Sequence, residues 1–164
     1  MNDLHQVYLS LGSNIQPEYH LVRGLERLQN AGKLEKISSA WESESVGAEG
    51  PNYLNACVLL LISMEQEELK QQVLLPLEAE LGRQRSADRF APRTMDIDIV
   101  LFDNRSCGPK FWEQAFVVIP LAEIYPEFWH PLIGERIAET AVRLRQKIWM
   151  KRRPEVLGKF NGAG

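Results

Sequence analysis

Two aspartates alternate with apolar residues in the stretch from Arg89 to Asp103, which reads RFAPRTMDIDIVLFD. Asp96 and Asp98 are separated by Ile97, and mostly β-branched or aromatic residues follow them. The run is too short for a typical helix, so the pattern predicts a β-strand. Side chains two positions apart on a strand point to the same face, about 6.5–7 Å apart at Cα. We therefore expect the two carboxylates to lie side by side.

Two carboxylates on one face of an apolar strand are costly to bury unless a positive charge accompanies them. One interpretation is structural: Arg89 or Arg93 pairs with the aspartates in an ion-pair network. The other is a platform for Mg²⁺, which proteins hold through one or two carboxylates plus substrate phosphates. The arginines just upstream favour a polyphosphate lying across the metal, since guanidinium matches phosphate geometry.

Composition limits the alternatives. With 164 residues, 45% of them hydrophobic and 25% charged, the chain has the content of one globular domain spanning 1–164. A net charge of −3 excludes attraction of the whole molecule to nucleic acid. The polar N-terminus does not resemble a signal peptide, and no apolar stretch is long enough to span a membrane. Cys57 lies in an apolar run, which predicts a buried thiol, and we expect a cytoplasmic protein of unspecified oligomeric state.

The order of predicted elements indicates the fold class. Apolar runs predict strands at 7–11, 34–41 and 53–62, followed by the aspartate strand; helical spacing predicts helices near 17–31, at 65–82 and at 133–149. Residues 115–124 are interpreted as a short strand running into a helical turn, and residues 151–164 as a frayed tail. This order is typical of an α+β protein with a ferredoxin-like split βαβ sheet, helices packed on it and a helical C-terminal part.

Four stretches resemble one family. The motif from Arg89 to Ile99 (RFAPRTMDIDI) is similar to the signature of the 6-hydroxymethyl-7,8-dihydropterin pyrophosphokinases, enzymes of folate synthesis. Residues 8–14 (YLSLGSN), 51–56 (PNYLNA) and 116–126 (FVVIPLAEIYP) resemble other segments of that family. The resemblance covers roughly residues 6 to 130.

The resemblance implies an activity and a set of ligands. A member of this family transfers the β,γ-pyrophosphoryl unit of ATP to the pterin hydroxymethyl oxygen and releases AMP. Asp96 and Asp98 would hold two Mg²⁺ ions and, with Arg83 and Arg93, act in catalysis. The expected nucleotide-binding residues are Arg83, Arg85, Arg89 and Arg93 on the phosphate side, with Glu78 and Ile99. The expected pterin-binding residues are Ser43, the backbone of Val46, Tyr53, Asn55, and two stacking rings, Phe90 and Phe116.

Several of these residues have a structural interpretation as well. Asn55 begins a buried strand, where an amide must find partners: it bonds neighbouring backbone or it reads the edge of a ligand. Without the family, Phe90 and Phe116 are interpreted as core residues, and Glu78 as part of a solvated helix face. Each arginine alone is interpreted as part of a solvated basic loop.

The sequence also departs from the family. Residues 104–115 (NRSCGPKFWEQA) contain no histidine, where the family has a proline-histidine pair, and Gln114 stands where the family has an arginine. Glu44 and Ser45 replace family prolines. Two alternatives therefore stay open: a divergent relative that uses another pterin or only binds pterin or nucleotide, and a ferredoxin-like module that binds RNA or protein. The negative charge and the absence of an aromatic RNA-recognition signature disfavour the module.

Overall fold

An antiparallel sheet organises the chain, whose computed structural model describes residues 3–45, 50–82 and 95–161. In this part the strands are β1 (His5–Ser13), β2 (Lys33–Ile37), β3 (Ala40–Ser43), β4 (Tyr53–Ile62), β5 (Asp96–Phe102), β6 (Arg105–Ser106) and β7 (Met150–Arg153). They are arranged in the order β6-β5-β1-β4-β3-β7, with β2 also paired to β4. All of these pairings are antiparallel, and the central order β5-β1-β4-β3 confirms the predicted ferredoxin-like arrangement.

Helices cover both faces of this sheet. They are α1 (Pro17–Ala31), α2 (Gln66–Leu69), a π-helical turn (Lys70–Leu74), α3 (Leu75–Glu80), a 3₁₀ turn (Pro109–Glu113), α4 (Ala115–Ile124), α5 (Ile137–Lys147) and α6 (Gly158–Asn161). None of the helices in the described ranges has both the length and the apolar character needed to cross a bilayer.

The side chains of β1 show how the two faces differ. Val7, Leu9 and Leu11 are fully buried and pack with α1, α2 and α3, on what we call the α1 face. Tyr8 packs with α4 and α5 on the opposite side, the α4 face. Because successive strand residues alternate, the small residues Ser10 and Gly12 also belong to the α4 face. The polar strand residues predicted to bind ligands lie on this second face.

Helix α1 agrees with the predicted pattern. Pro17 occupies its first turn, where a missing N–H does no harm, and Leu21, Leu25 and Leu28 are fully buried. The helix stops at Gly32. A Cβ at this position would lie 2.5 Å from the carbonyl oxygen of Leu61, so only glycine allows this approach to β4.

The predicted strand at 34–41 is wrong in one respect, because two strands occupy it. The N–H of Ser39 leaves the sheet and donates to both carboxylate oxygens of Glu123 at 3.0 Å. Ser38 remains bound to β4, since its Oγ accepts the N–H of Cys57 at 2.9 Å. The break thus attaches the sheet to the end of α4.

The predicted helix at 65–82 is present but interrupted. The N–H of Leu75 bonds the carbonyl of Lys70, five residues back, so one turn is widened. The π turn ends at Leu74, two residues before Pro76, whose nitrogen carries no hydrogen. A proline inside a helix favours such an irregularity, and here the π turn lies just before it.

Residues 115–124 form a helix, so the predicted strand there is wrong. The β-branched run Val117, Val118 and Ile119 favours a strand by propensity. Nevertheless α4 is buried on nearly all sides, between the sheet and α5, and a helix that is apolar all round belongs in such a core. Tertiary packing overrides the local preference.

The C-terminal part also differs from expectation. Helix α5 begins at Ile137 instead of residue 133 and ends at Lys147. The tail predicted to fray from residue 151 instead continues β7, which pairs with β3, and Leu157 is fully buried on the α1 face. The difference arises because apolar residues such as Leu157 follow the basic strand β7 and pack into the hydrophobic core.

Candidate active site

Strand β1 brings the polar candidates of two strands into one row. Gly12 is paired with Asp96 of β5 on one side and with Asn55 of β4 on the other. Ser10 is paired in the same way with Asp98 and Cys57. Paired residues share a face, so these side chains lie together on the α4 face. Two strand spacings, about 10 Å, separate the backbones of Asp96 and Asn55.

The aspartate strand has the predicted geometry. Asp96 and Asp98 are half-buried, whereas Ile97 and Ile99 are buried in the core of the α1 face. The two carboxylates therefore project from β5 on the α4 face, one strand step apart. Residue Ile99, expected near the nucleotide, directs its side chain to the opposite face.

The donor set of this pair fits magnesium. Within the described ranges, no three or more histidine, cysteine, aspartate or glutamate residues form a group that could hold a metal by themselves. Asp96 and Asp98 supply two carboxylates, which is the number Mg²⁺ commonly takes from a protein when phosphate oxygens complete its shell. The pair is suited to a metal that arrives with a phosphorylated ligand.

Gly12 adds no side chain to the α4 face between Asn55 of β4 and Asp96 of β5. A Cβ built there would lie 3.3 Å from Oδ1 of Asn55 and 3.8 Å from Cδ1 of Tyr53. The strand predicted at 7–11 ended before Gly12, whereas β1 continues to Ser13. The register of Gly12 opposite Asp96 and Asn55, which sequence reasoning missed, gives it a role as the floor of the site.

Asn55 has neighbouring hydrogen-bond partners, one of the two roles predicted for it, while the contact with a ligand edge stays a prediction. The side chain is 2% exposed, and its Nδ2 donates to the carbonyl of Trp41 at 3.0 Å and to Oγ of Ser43 at 2.8 Å. These two bonds fix the plane of the amide. Its Oδ1 is consequently directed toward Gly12, which leaves a hydrogen-bond acceptor facing the site.

Ser43 and Tyr53 flank this amide. They are directly paired across β3 and β4, and Ser43 is buried while Tyr53 is half-buried. The structure thus brings Ser43, Tyr53 and Asn55 together. Val46 lies outside the described residues.

Phe116 is the described member of the two predicted stacking rings. It is the second residue of α4, half-buried, and packs against the core of the α4 face. Pro120 lacks an N–H, so the helical hydrogen bond that the carbonyl of Phe116 would accept is missing. Gln114, which stands in the place of the family arginine, is the N-cap residue of α4, and its backbone carbonyl accepts the N–H of Val118 at 2.9 Å. Phe90 lies outside the described residues.

Glu78 touches the aspartate strand directly. It is 3% exposed on α3, and its Oε2 accepts the backbone N–H of Ile97 at 2.8 Å. Ile97 separates the two aspartates, so this carboxylate fixes the segment that carries them. The interpretation of Glu78 as part of a solvated helix face is wrong.

Residues 104–115 contain two cations, Arg105 and Lys110, and the structure separates Arg105 from the aspartates. Arg105 belongs to β6 and is paired with Phe102, six residues along β5 from Asp96, which is about 20 Å by strand rise. Lys110 lies over the ring of Phe111, 5.4 Å from its centroid. The four arginines expected on the phosphate side, Arg83, Arg85, Arg89 and Arg93, lie outside the described residues.

Cys57 does not take part in the chemistry of this face. It lies on β4, paired with Ser10 of β1, and is fully buried in the core of the α4 face, as its apolar surroundings predicted. Burial raises the pKa of the Cys57 thiol, so the group stays protonated and unreactive near neutral pH.

The comparisons with known proteins agree with this arrangement. The family model described as 7,8-dihydro-6-hydroxymethylpterin-pyrophosphokinase (HPPK) matches residues 8–126. A protein of Synechocystis sp. named 2-amino-4-hydroxy-6-hydroxymethyldihydropteridine pyrophosphokinase is 33% identical over 153 residues, covering 82% of this chain and 74% of its own length. The protein of the same name in Bacillus subtilis is 37% identical over 139 residues, covering 76% of this chain and 79% of its own length.

A solved structure supports the fold. The HPPK-DHPS crystal structure from Plasmodium falciparum superimposes with a TM-score of 0.68 over 90% of this chain, at 10% sequence identity. This chain spans only 45% of that longer protein, and at such identity the likeness concerns the fold alone.

The fold, the aspartate strand and these matches together define the class of protein, which is a phosphotransfer enzyme that acts on a pterin. The chain belongs to the 7,8-dihydro-6-hydroxymethylpterin-pyrophosphokinase family, which confirms the resemblance seen in its sequence.

Proposed function

We propose that this protein transfers the pyrophosphoryl group of ATP to 6-hydroxymethyl-7,8-dihydropterin and releases AMP, a step of folate synthesis. The observation that carries the proposal is the row formed by Asp96, Gly12 and Asn55. It places a carboxylate pair and an oriented amide acceptor on one face, about 10 Å apart at the backbone.

The pterin would lie over Gly12 with its amide-like edge toward Asn55. The acceptor Oδ1 receives an N–H of the ring, and Ser43 holds the amide in that orientation. Phe116 and Phe90 would stack on the ring faces, since flat heterocycles pack well on aromatic rings. This pose directs the hydroxymethyl group toward β5 and its aspartates.

In the reaction, the hydroxymethyl oxygen forms a bond to the β-phosphorus of ATP. The bond between that phosphorus and the oxygen bridging to the α-phosphate breaks, AMP leaves with the bridging oxygen, and the hydroxyl proton is released to solvent. Asp96 and Asp98 would hold two magnesium ions. When bound, these ions neutralise phosphate charge and align the attacking and leaving oxygens.

The remaining residues bind and position. Arg83, Arg85, Arg89 and Arg93 would contact the phosphates, with Arg83 and Arg93 nearest the transferred group; their clustering just before β5 supports this. Glu78 keeps the backbone at Ile97 in place. Most of the rate would come from positioning and electrostatic stabilisation.

The test is the identity of the nucleotide product. Incubation with ATP, Mg²⁺ and the hydroxymethyl-dihydropterin should yield AMP in equal amount to the pterin diphosphate. Asp96→Asn and Asp98→Asn should each lower turnover at least about 100-fold while thermal unfolding is unchanged, because a neutral amide is a poor magnesium ligand. Glu113→Gln, an exposed carboxylate on the 3₁₀ turn, is the matched control and should behave like the wild type.

One observation favours a second candidate, a relative that binds pterin without efficient turnover. In the described segment 104–115, Arg105 lies at the far end of β5, so it does not replace the family arginine whose place Gln114 takes. Titration with the pterin alone separates the two functions. Binding without AMP formation in the presence of ATP and Mg²⁺ identifies the binder, and ADP as product would contradict the proposed transfer.

A further inference from the structure

The edge strand β7 borders the pterin side of the sheet. It comes after residues 8–126, the part that the family model matches. Met150 is paired with Ser43 and Arg153 with Ala40, so β7 covers the whole length of β3. The strand that carries Ser43 is therefore held between β4 and a C-terminal strand that the family resemblance did not include.

Arg153 connects two positions that precede predicted pterin ligands. Its Nη1 donates to Oε1 of Glu42 at 2.8 Å, and Oε2 of the same carboxylate accepts Nδ2 of Asn52 at 2.8 Å. Glu42 immediately precedes Ser43, and Asn52 immediately precedes Tyr53. One guanidinium thus joins the end of β3 to the beginning of β4 through a shared carboxylate.

The ion pair between Arg153 and Glu42 is the least solvent-exposed of the ion pairs that Arg153 forms. The side chains of Arg153 and Glu42 are 26% and 23% exposed, while its other partners, Glu18 and Glu155, are 58% and 61% exposed. Interactions of exposed carboxylates are screened by solvent and contribute little, so Glu42 is the partner that matters. The hydrogen bond from Asn52, with that from Arg153, holds the pKa of Glu42 below its usual value.

Glu42 and the predicted pterin ligands lie on opposite faces of the sheet, at the end of β3 and the beginning of β4. Glu42 is paired with Leu54, a residue of the α1 face, whereas Ser43 and Asn55 face α4. Ser43 holds the amide of Asn55 at 2.8 Å. A small shift of the β3 end would therefore displace Ser43 and release the orientation of the Asn55 acceptor.

We propose that Arg153 is a positioning residue for the pterin, which it serves by holding Glu42 and Asn52 so that Ser43, Tyr53 and Asn55 keep their arrangement. This inference rests on the proposed function, since it concerns the pterin side of that site. It assigns a role to the C-terminal strand β7, which is paired with β3.

The test compares Arg153→Ala and Glu42→Gln with Lys159→Ala. Lys159 is the matched control because it forms an ion pair of 2.7 Å with Glu26 from the same C-terminal segment, away from β3. We expect Arg153→Ala and Glu42→Gln to raise the pterin Kd and KM about tenfold, with the ATP KM within twofold of wild type. Lys159→Ala should leave both constants unchanged, and Arg153→Lys should restore part of the pterin affinity.

Amide hydrogen exchange gives a readout independent of activity. In Arg153→Ala, the amides of Ser43, Tyr53 and Asn55 should exchange at least about fivefold faster, while those of β5 keep their wild-type rates. Faster exchange throughout the sheet, equal loss of ATP and pterin affinity, or pterin affinity equal to that of Lys159→Ala would each overturn the inference. Failure of the wild type to form AMP would instead refute the proposed function, because the exchange and binding comparisons do not depend on turnover.

Discussion

Replacing Gly12 by alanine should weaken pterin binding without unfolding the protein. The backbone at Gly12 is not in the positive-φ region, which among the glycines of the described ranges is adopted by Gly82, so alanine can take its conformation. The added methyl would meet Oδ1 of Asn55 at 3.3 Å and the ring of Tyr53 at 3.8 Å. It would also occupy the space in which we place the pterin.

The size of the effect follows from how firmly Asn55 is held. The amide must move by a few tenths of an ångström, yet it is 2% exposed and bound at 3.0 Å to Trp41 and at 2.8 Å to Ser43. Weakening one such bond costs about 0.5–1.5 kcal/mol, which corresponds to a loss of roughly 2- to 12-fold in affinity. Replacing a strand glycine by alanine stabilises the fold by about 0.5–1 kcal/mol. In the free energy of unfolding, this gain offsets the cost of the weakened hydrogen bond.

The assay is calorimetric titration with the pterin, combined with thermal unfolding and the ATP KM. Gly12→Ala should show a higher pterin Kd, an unfolding temperature within about 3 °C of wild type and an unchanged ATP KM. Gly134→Ala is the control, since a Cβ at that position meets nothing within 4 Å. Wild-type pterin affinity in a folded Gly12→Ala protein would show that the ligand does not lie over this row.

Two further substitutions, at Glu78 and at His5, test contacts that hold β5 and β1 in place. Glu78→Ala should lower the free energy of unfolding by about 1–3 kcal/mol, because the buried N–H of Ile97 loses its acceptor, and Glu78→Gln, which keeps a carbonyl oxygen, should lose less in urea denaturation. His5 contacts Asp103 at 2.6 Å and Glu65 at 2.8 Å, and these hydrogen bonds, that of Asp103 foremost, raise its pKa above the ordinary 6.5. The protonated ring therefore contributes its full stability below about pH 6.5 and loses it as the pH rises through the raised folded-state pKa. Urea unfolding at pH 6 and pH 9 should differ by about 0.5–1 kcal/mol more in the wild type than in His5→Ala, and an equal difference in both would exclude this source of pH dependence.

The alternation of apolar and polar residues was sufficient to predict the central strands. In β5 the pattern around Asp96 and Asp98 fixed both the strand and its two faces, since a period of two admits one assignment. The same reasoning gave the wrong element at 115–124. A segment apolar on every side carries no period, and its length of ten residues does not separate a buried strand from a buried helix.

The candidate site could be predicted only where its chemistry is visible in the residue type. Carboxylates just after arginines led to the hypothesis of a phosphate site from sequence alone, and Asn55 stands out as a polar residue in an apolar run. Gly12 and Arg153 do not stand out in this way. Their roles arise from pairings between residues about 40 and 110 positions apart, and register between distant strands is not encoded in any local pattern.

The side chains of β1 on the α4 face also differ in size from one end of the strand to the other. They grow along the strand from Gly12 to Ser10 to Tyr8, and Tyr8 stacks on Tyr125 with ring centroids 5.1 Å apart. Burial raises the pKa of the Tyr8 hydroxyl, which keeps it neutral in this apolar packing. The face is thus filled by a large ring at the Tyr8 end, whereas β1 contributes only small residues between Asp96 and Asn55. Because the central strand contributes only small residues there, the ligand-binding groups of the proposed site come from β4 and β5, so changes to the contacts that hold these two strands are expected to affect binding.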